Sequence, residues 1–239
     1  MSPLFPRLTH PDMGYSLADL PDGDTIANLL CDTRSFALLH NIRLSFHPDQ
    51  FVVLSSPHPA VVTSSIRELE YQAWLAEAVG ADIINLHAGG VYGEKSLALM
   101  RFCQVFADLP ENVRSRLTLE NDDVSYTVSD LLPVCEKLSI PLVYDVHHHR
   151  CKPDDLSVEE ATELAGATWQ NLGREQYCHL SSPRAGWGGG NPKPHADYID
   201  PADVPICWRE RIMTVDIEAK AKGLAVVRLM NDLEKGDCL

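Results

Sequence analysis

No Cys-x-x-Cys pair occurs in this chain, although seven cysteines are scattered between Cys31 and Cys238. That scatter argues against a zinc ribbon or a disulfide framework and fits a reducing cytosol. Nor does any stretch approach the roughly 20 consecutive apolar residues of a membrane span. Residues 1–8 lack a basic segment followed by an apolar one, so no secretory signal is expected. The expectation is a cytoplasmic protein, nuclear if the source is eukaryotic, with no membrane partner. Gly-x-Gly-x-x-Gly after a strand is also missing, which removes the dinucleotide-binding fingerprint and any expectation of a nucleotide cofactor. Basic charge is scarce: 20 Lys and Arg stand against 34 Asp and Glu, a net −14. On its face this argues against a polyanionic partner. Carboxylates neutralised by metal, and basic groups gathered into one patch, would lift the objection.

What is present suffices for a large core. The 239 residues are 45% apolar and show no linker, so a single domain over 1–239 is expected. Helical periodicity covers residues 24–40, 63–80, 95–107, 131–138, 157–168 and 219–233. Thr127-x-x-Asp130 and Ser157-x-x-Glu160 are capping boxes, and Gly80 is a natural helix stop. Short apolar strands fall between the helices at 43–46, 82–86, 116–119, 142–145, 177–180 and 211–218. This alternation predicts a parallel sheet with crossover helices. Both an open doubly wound sheet and a TIM (β/α)8-type barrel have that pattern. The strands, however, end in His47, His87, Glu120, Asp145, His179 and Glu218. In a barrel all such ends face one mouth, where the chemistry is kept, so a barrel is the expected fold.

The segment Leu142-Val-Tyr-Asp145-Val-His-His148-His-Arg150 is the sharpest case, an apolar strand that runs into an acid and three histidines. If the chain stays extended there, His147 and His149 point away from His148. With His195 on a Gly- and Pro-rich loop, the set offers imidazole and carboxylate but no thiolate, which suits Mn²⁺, Zn²⁺ or Fe²⁺. Eight candidates exceed what one ion needs, so two or three ions sharing carboxylates are expected. Metal-assisted phosphodiester hydrolysis is the matching reaction class. His87 by itself reads equally as a core histidine; Ala88-Gly89-Gly90 after it leaves open space and favours a ligand. His10, His40 and His58 read as surface histidines.

Arg43-Leu-Ser-Phe-His-Pro-Asp-Gln-Phe51, Leu119-Glu-Asn-Asp-Asp123, Asp145-Val-His-His-His149, His179-Leu-Ser-Ser182, His195-Ala-Asp-Tyr198 and Glu218-Ala-Lys-Ala-Lys222 resemble the UV damage endonuclease family, in family order. The resemblance implies a barrel of the endonuclease IV and xylose isomerase kind holding up to three divalent ions, typically manganese. It implies nicking of damaged double-stranded DNA 5′ to pyrimidine dimers and 6-4 photoproducts, leaving 3′-hydroxyl and 5′-phosphate ends. It makes His47, His87, Glu120, Asp145, His148, His179, His195 and Glu218 metal ligands, with Glu120, Asp145 and Glu218 as catalytic carboxylates. Gln50 matches a side chain that probes the gap at the lesion, and Phe51 stands where some members have tyrosine. Tyr177 falls where some members carry a modified lysine, and that role is not carried over.

Against the family pattern the first β-α unit and most of the second strand, before Leu4-Phe5-Pro6, are missing or incomplete. A barrel lacking them is expected to be unstable and to self-associate through its open edge. On the DNA side, Arg184, Lys193 and Trp187 belong to one loop, and Arg150 and Lys152 follow the triple histidine. Such groups hold phosphates and stack on displaced bases, while a flexible polar lid would have the same composition. Two competing functions are a xylose-isomerase-like sugar isomerase or epimerase and a non-catalytic barrel that binds metal or DNA.

Overall fold

Side-chain caps start three α-helices in the computed structural model, which describes residues 16–236. Leu4, Phe5, Pro6, His10 and Cys238 lie outside the described residues. The chain forms two units, the first ending at Thr118 and the second beginning at Leu119.

In the first unit, α1 (Gly23–Leu39), β1 (Ser45–Phe46), α2 (Pro59–Val79), β2 (Ile83–His87), α3 (Lys95–Ala107) and α4 (Glu111–Arg114) follow in order. Helix α2 starts four residues earlier than its periodicity suggests because Pro59 takes the first helical position. There its missing N–H would have had no partner anyway, and its φ is already helical. The helix stops at Gly80 with φ 76°, as expected. Strands β1 and β2 pair in parallel, Ser45 with Ile83 and Phe46 with Ile84. The Arg43–Asp82 ion pair, at 3.1 Å, ties the approaches to both strands. Only part of the apolar stripe on α1 finds cover in this unit: Ala37 is buried, whereas Leu29 and Leu38 are exposed.

The unit boundary falls inside β3 (Leu117–Glu120). In the second unit come α5 (Val128–Leu138), β4 (Leu142–Asp145), α6 (Val146–Cys151), α7 (Val158–Ala167), β5 (Gln176–Leu180), β6 (Met213–Ile217) and α8 (Gly223–Gly236). Both capping boxes form: Thr127 Oγ1 accepts from Asp130 N–H, and Ser157 Oγ from Glu160 N–H. Strands β3 to β6 pair in parallel and in chain order, with Glu120 beside Val143, Asp145 beside His179 and His179 beside Asp216. Every residue of β3, β4 and β5 is buried. Such near-continuous apolar runs mark parallel strands covered on both faces. Each buried Leu or Val there contributes about 1.5–3 kcal/mol. Strand β6 is only half covered.

Helix α6 corrects the extended reading of the triple histidine. Asp145 ends β4 and at once caps the next turn, its Oδ1 accepting from His148 N–H at 2.7 Å. The chain therefore turns helical at Val146, and His148 folds back toward the strand end.

Candidate metal centre

At the C-terminal ends of the second unit's strands, acids and imidazoles alternate. Asp145 Oδ2 lies 3.4 Å from His148 Nδ1, and that nitrogen lies 3.3 Å from Glu120 Oε1. The same Glu120 oxygen is 3.2 Å from His179 Nδ1, which is 3.3 Å from Glu218 Oε1. Glu218 Oε2 is 3.7 Å from His195 Nδ1. Six of the expected ligands thus form one row. Within it, ligand atoms of Glu120, Asp145 and His179 lie within 4.8 Å of one another.

Burial makes this row expensive unless cations enter it. Glu120 and Asp145 are 0% exposed and His179 only 2%. Asp145 Oδ2 is buried without a hydrogen bond, its facing group the His148 imidazole at 3.4 Å, an arrangement that costs free energy unless positive charge stands there. Burial pushes the Asp145 carboxyl up to about 7, with Glu120 and Glu218 adding to the shift and His148 opposing it. For His148 burial acts downward, but Asp145 and Glu120 outweigh it and raise the imidazole to about 10. His179 is likewise lifted well above the usual range by Glu120 and Glu218 against its own burial. Both shifts favour the charged form of His148 and His179 beside these carboxylates. Nitrogen and oxygen donors, a buried carboxylate oxygen without a hydrogen bond and no thiolate fit a divalent ion.

Asn121 is the residue that pattern reading passed over. Its amide donates to the Asp145 carbonyl at 2.8 Å, and its oxygen accepts from Asp145 N–H at 3.0 Å. Its own carbonyl meets His148 Nδ1 at 3.0 Å. The side chain thus locks the ends of β3 and β4 together, and the backbone carbonyl orients His148, as outer groups do around metal ligands. The two flanking histidines are buried. His149 lies between the Tyr144 hydroxyl, at 2.6 Å, and Asp154, at 3.2 Å. His147 Nε2 meets the Lys193 carbonyl at 3.3 Å. Tyr177 donates to Asp216 at 3.3 Å with its ring 5.6 Å from His179.

In the first unit His47 and His87 come together, their rings 5.3 Å apart. The glycines after His87 do not leave open space. Gly89 has φ +88°, and a Cβ there would sit 2.5 Å from Val53 Cγ1 and 2.9 Å from Ser55 Oγ. Ser55 Oγ in turn donates to the Ala88 carbonyl at 2.6 Å. Gly89 is therefore what lets the segment after His47 pack on the loop after His87. Gly89→Ala is expected to lower stability by about 1–3 kcal/mol through overpacking, read as a drop in melting temperature. A parental melting curve would show that Val53 and Ser55 move aside without cost.

Gln50 and Phe51 lie on an exposed turn, Asp49 accepting from Phe51 N–H at 3.1 Å, and Phe51 is 75% exposed. Arg184 is exposed. The Lys193 ammonium donates to the Asp123 carbonyl at 2.7 Å, so its charge is anchored within the second unit. His40 and His58 are exposed, as expected.

The sequence profile of the UV-endonuclease UvdE family matches residues 1–238. A UV DNA damage endonuclease of Bacillus velezensis is 34% identical over 241 residues, which cover 97% of this chain and 73% of that protein. The crystal structure of SacUVDE is similar with a TM-score of 0.84 and 30% identity, over 96% of this chain and 76% of that one. Endonuclease IV from Thermus thermophilus has a TM-score of 0.62 at 14% identity, over 90% of this chain and 83% of that one, a likeness of fold alone. The fold class expected from the sequence, an α/β barrel type of the endonuclease IV kind, agrees with both structures.

Proposed function

We infer the function from one premise, that the chain belongs to the UV-endonuclease UvdE family. It is an endonuclease acting on DNA. We propose that its substrate is double-stranded DNA carrying pyrimidine dimers or 6-4 photoproducts, cut 5′ to the lesion to leave 3′-hydroxyl and 5′-phosphate ends, in the cytoplasm. The observation that supports it best is the partly buried row of alternating carboxylates and imidazoles running from Asp145 to His195. A sugar isomerase is not favoured, because the family match takes in nearly the whole chain.

The proposed ligands are His47, His87, Glu120, Asp145, His148, His179, His195 and Glu218, and the proposed ions are up to three Mn²⁺. Bound divalent ions supply charge stabilisation for attacking and leaving phosphate oxygens and lower the pKa of a bound water. The chain's own work is positioning. Asp145 is held by the helix cap through Oδ1 while Oδ2 stays directed at His148. Glu120 offers one oxygen to two imidazoles at once. Glu218, whose carboxyl His179 holds below the usual range despite burial, keeps its negative charge at neutral pH. Gln50 and Phe51 are proposed to fill the space left by the lesion, and Arg184 and Lys193 to hold backbone phosphate.

Nicking of UV-irradiated supercoiled plasmid in Mn²⁺, with unirradiated plasmid and EDTA as controls, tests this reading. Relaxed circles are expected from irradiated plasmid with metal only. Equal nicking of both plasmids would remove the lesion from the substrate. In the same assay series, replacing Gln50 and Phe51 by Ala is expected to reduce preference for damaged duplex while metal content stays parental. The loss should match about one stacked base, roughly 1–3 kcal/mol. An unchanged preference would take those two side chains out of lesion recognition.

A further inference from the structure

The loop at residues 181–195 contains Arg184 and Lys193 and no carboxylate, in a chain whose net charge is −14. At its tip stands Trp187, 42% exposed and followed by Gly188, Gly189 and Gly190. A tip of that composition would leave an indole free to wander unless something held it. What holds it is Asp203, only 7% exposed, in the 3-10 turn Pro201–Asp203. Asp203 Oδ1 accepts the indole N–H at 2.7 Å, and Oδ2 accepts the Ser182 hydroxyl at 2.5 Å. The Arg150 guanidinium donates to the Asp203 carbonyl at 2.8 Å and lies 3.6 Å from Oδ1. It also lies 5.8 Å from the centre of the Trp187 ring.

Two other tryptophans of this unit provide the contrast. Trp169 and Trp208 are 3% and 4% exposed, and each donates its N–H inside the core, to the Leu142 carbonyl and the Thr162 hydroxyl. Their rings are used for packing. Trp187 has its N–H equally satisfied but keeps much of its ring in solvent. The ring also borders the metal centre, 5.4 Å from His147, which lies edge-on to His195 at 5.1 Å. An aromatic face fixed in advance loses little entropy on binding. It stacks on any base whatever the sequence, and a neighbouring guanidinium adds to the attraction.

We propose that Asp203 is a positioning residue that holds Trp187 and Arg150 as a preformed stacking platform for an unstacked nucleic-acid base at the rim of the metal centre. This rests on the nuclease reading and names a contact that reading leaves open. Asp203 itself touches no substrate; it acts through the indole.

The test measures KM, kcat and bound manganese for the full chain on a lesion-bearing duplex oligonucleotide. Trp187→Ala is expected to raise KM about 5- to 150-fold, the equivalent of one base stacked on an aromatic ring, with manganese content unchanged. Trp187→Phe keeps an aromatic face but has no N–H for Asp203 to hold, so its KM should stay raised about as far as that of Asp203→Ala. Asp203→Ala should raise KM to a similar degree, and the double substitution should be no worse than Trp187→Ala alone. A parental KM for Trp187→Ala, or a matching loss of bound manganese, would overturn the proposal. So would effects of the two substitutions that multiply. Should Asp203→Ala not fold, the Ala and Phe variants at Trp187 decide by themselves. If the parent nicks irradiated DNA and Trp187→Ala does so with the same KM, this inference fails alone. If the parent nicks nothing, the nuclease reading fails and the platform with it.

Discussion

Replacing Glu120 with Gln is expected to abolish nicking while leaving the protein folded. Glu120 is fully buried at the end of β3, and its Oε1 is shared between His148 and His179 at 3.3 and 3.2 Å. One carboxylate oxygen between two imidazoles is where charge must be matched from two sides. The amide has nearly the same shape, so the packing of β3 is kept. Its negative charge is gone, however, and its NH2 group would oppose a cation or a protonated imidazole. In the metal-free protein the neighbouring histidines can relax by releasing protons, which spares the fold. Circular dichroism and a melting curve should resemble the parent's, manganese content should fall, and relaxed plasmid should not form. Activity within a few-fold of the parent would take Glu120 out of the metal centre.

The second large effect is on pH. In the metal-free protein His148 is raised to about 10, His179 is raised as well, and Asp145 is raised to about 7. A metal ion must displace those protons, so its affinity should rise with pH, by up to about tenfold per unit for each proton released. Stability without metal should run the opposite way. The two histidines have folded values above their unfolded value near 6.5, so their contribution is complete below about pH 6.5 and is lost as pH rises toward the folded values. Asp145 acts in the same direction, since the folded carboxyl keeps its proton up to about 7 while the unfolded one gives it up near 4. Glu218 is held below its ordinary value, so its contribution is present above about 4.5 and lost only as pH falls below that. Between pH 6.5 and 9, metal-free protein should therefore melt at progressively lower temperature, and added Mn²⁺ should stabilise it progressively more. Calorimetric titration in buffers of different ionisation enthalpy would count the protons released. A metal affinity independent of pH would mean that the imidazoles of this row are not the ligands.

Much of this was legible along the chain because it depends on near neighbours. A capping box is a matter of three residues, so Thr127 with Asp130 and Ser157 with Glu160 mark helix starts wherever they stand. Gly80 stops α2 because a left-handed backbone suits a residue without a side chain. A short apolar run that ends in His or an acid announces a buried strand and a polar terminus at once. Glu120, Asp145 and His179 stand out in that way as strand ends, and register places Asp145 beside His179.

Tertiary structure decided what depends on approach through space. The triple histidine reads as an extension of β4 until the Asp145 carboxylate caps the following turn, and helix α6 then buries His147 and His149. Asn121 is one amide among several polar residues in sequence; its two bonds to the backbone of Asp145, 24 residues on, exist only because β3 and β4 lie side by side. Gly89 looked like empty space and proved to be a point of contact with Val53 and Ser55. Asp203 has no pattern around it at all. Its role comes from Ser182, Trp187 and Arg150, brought within hydrogen-bonding reach from 16 to 53 residues away. Local pattern reports what one turn or one strand requires of itself, whereas a carboxylate's partners are chosen by packing between elements.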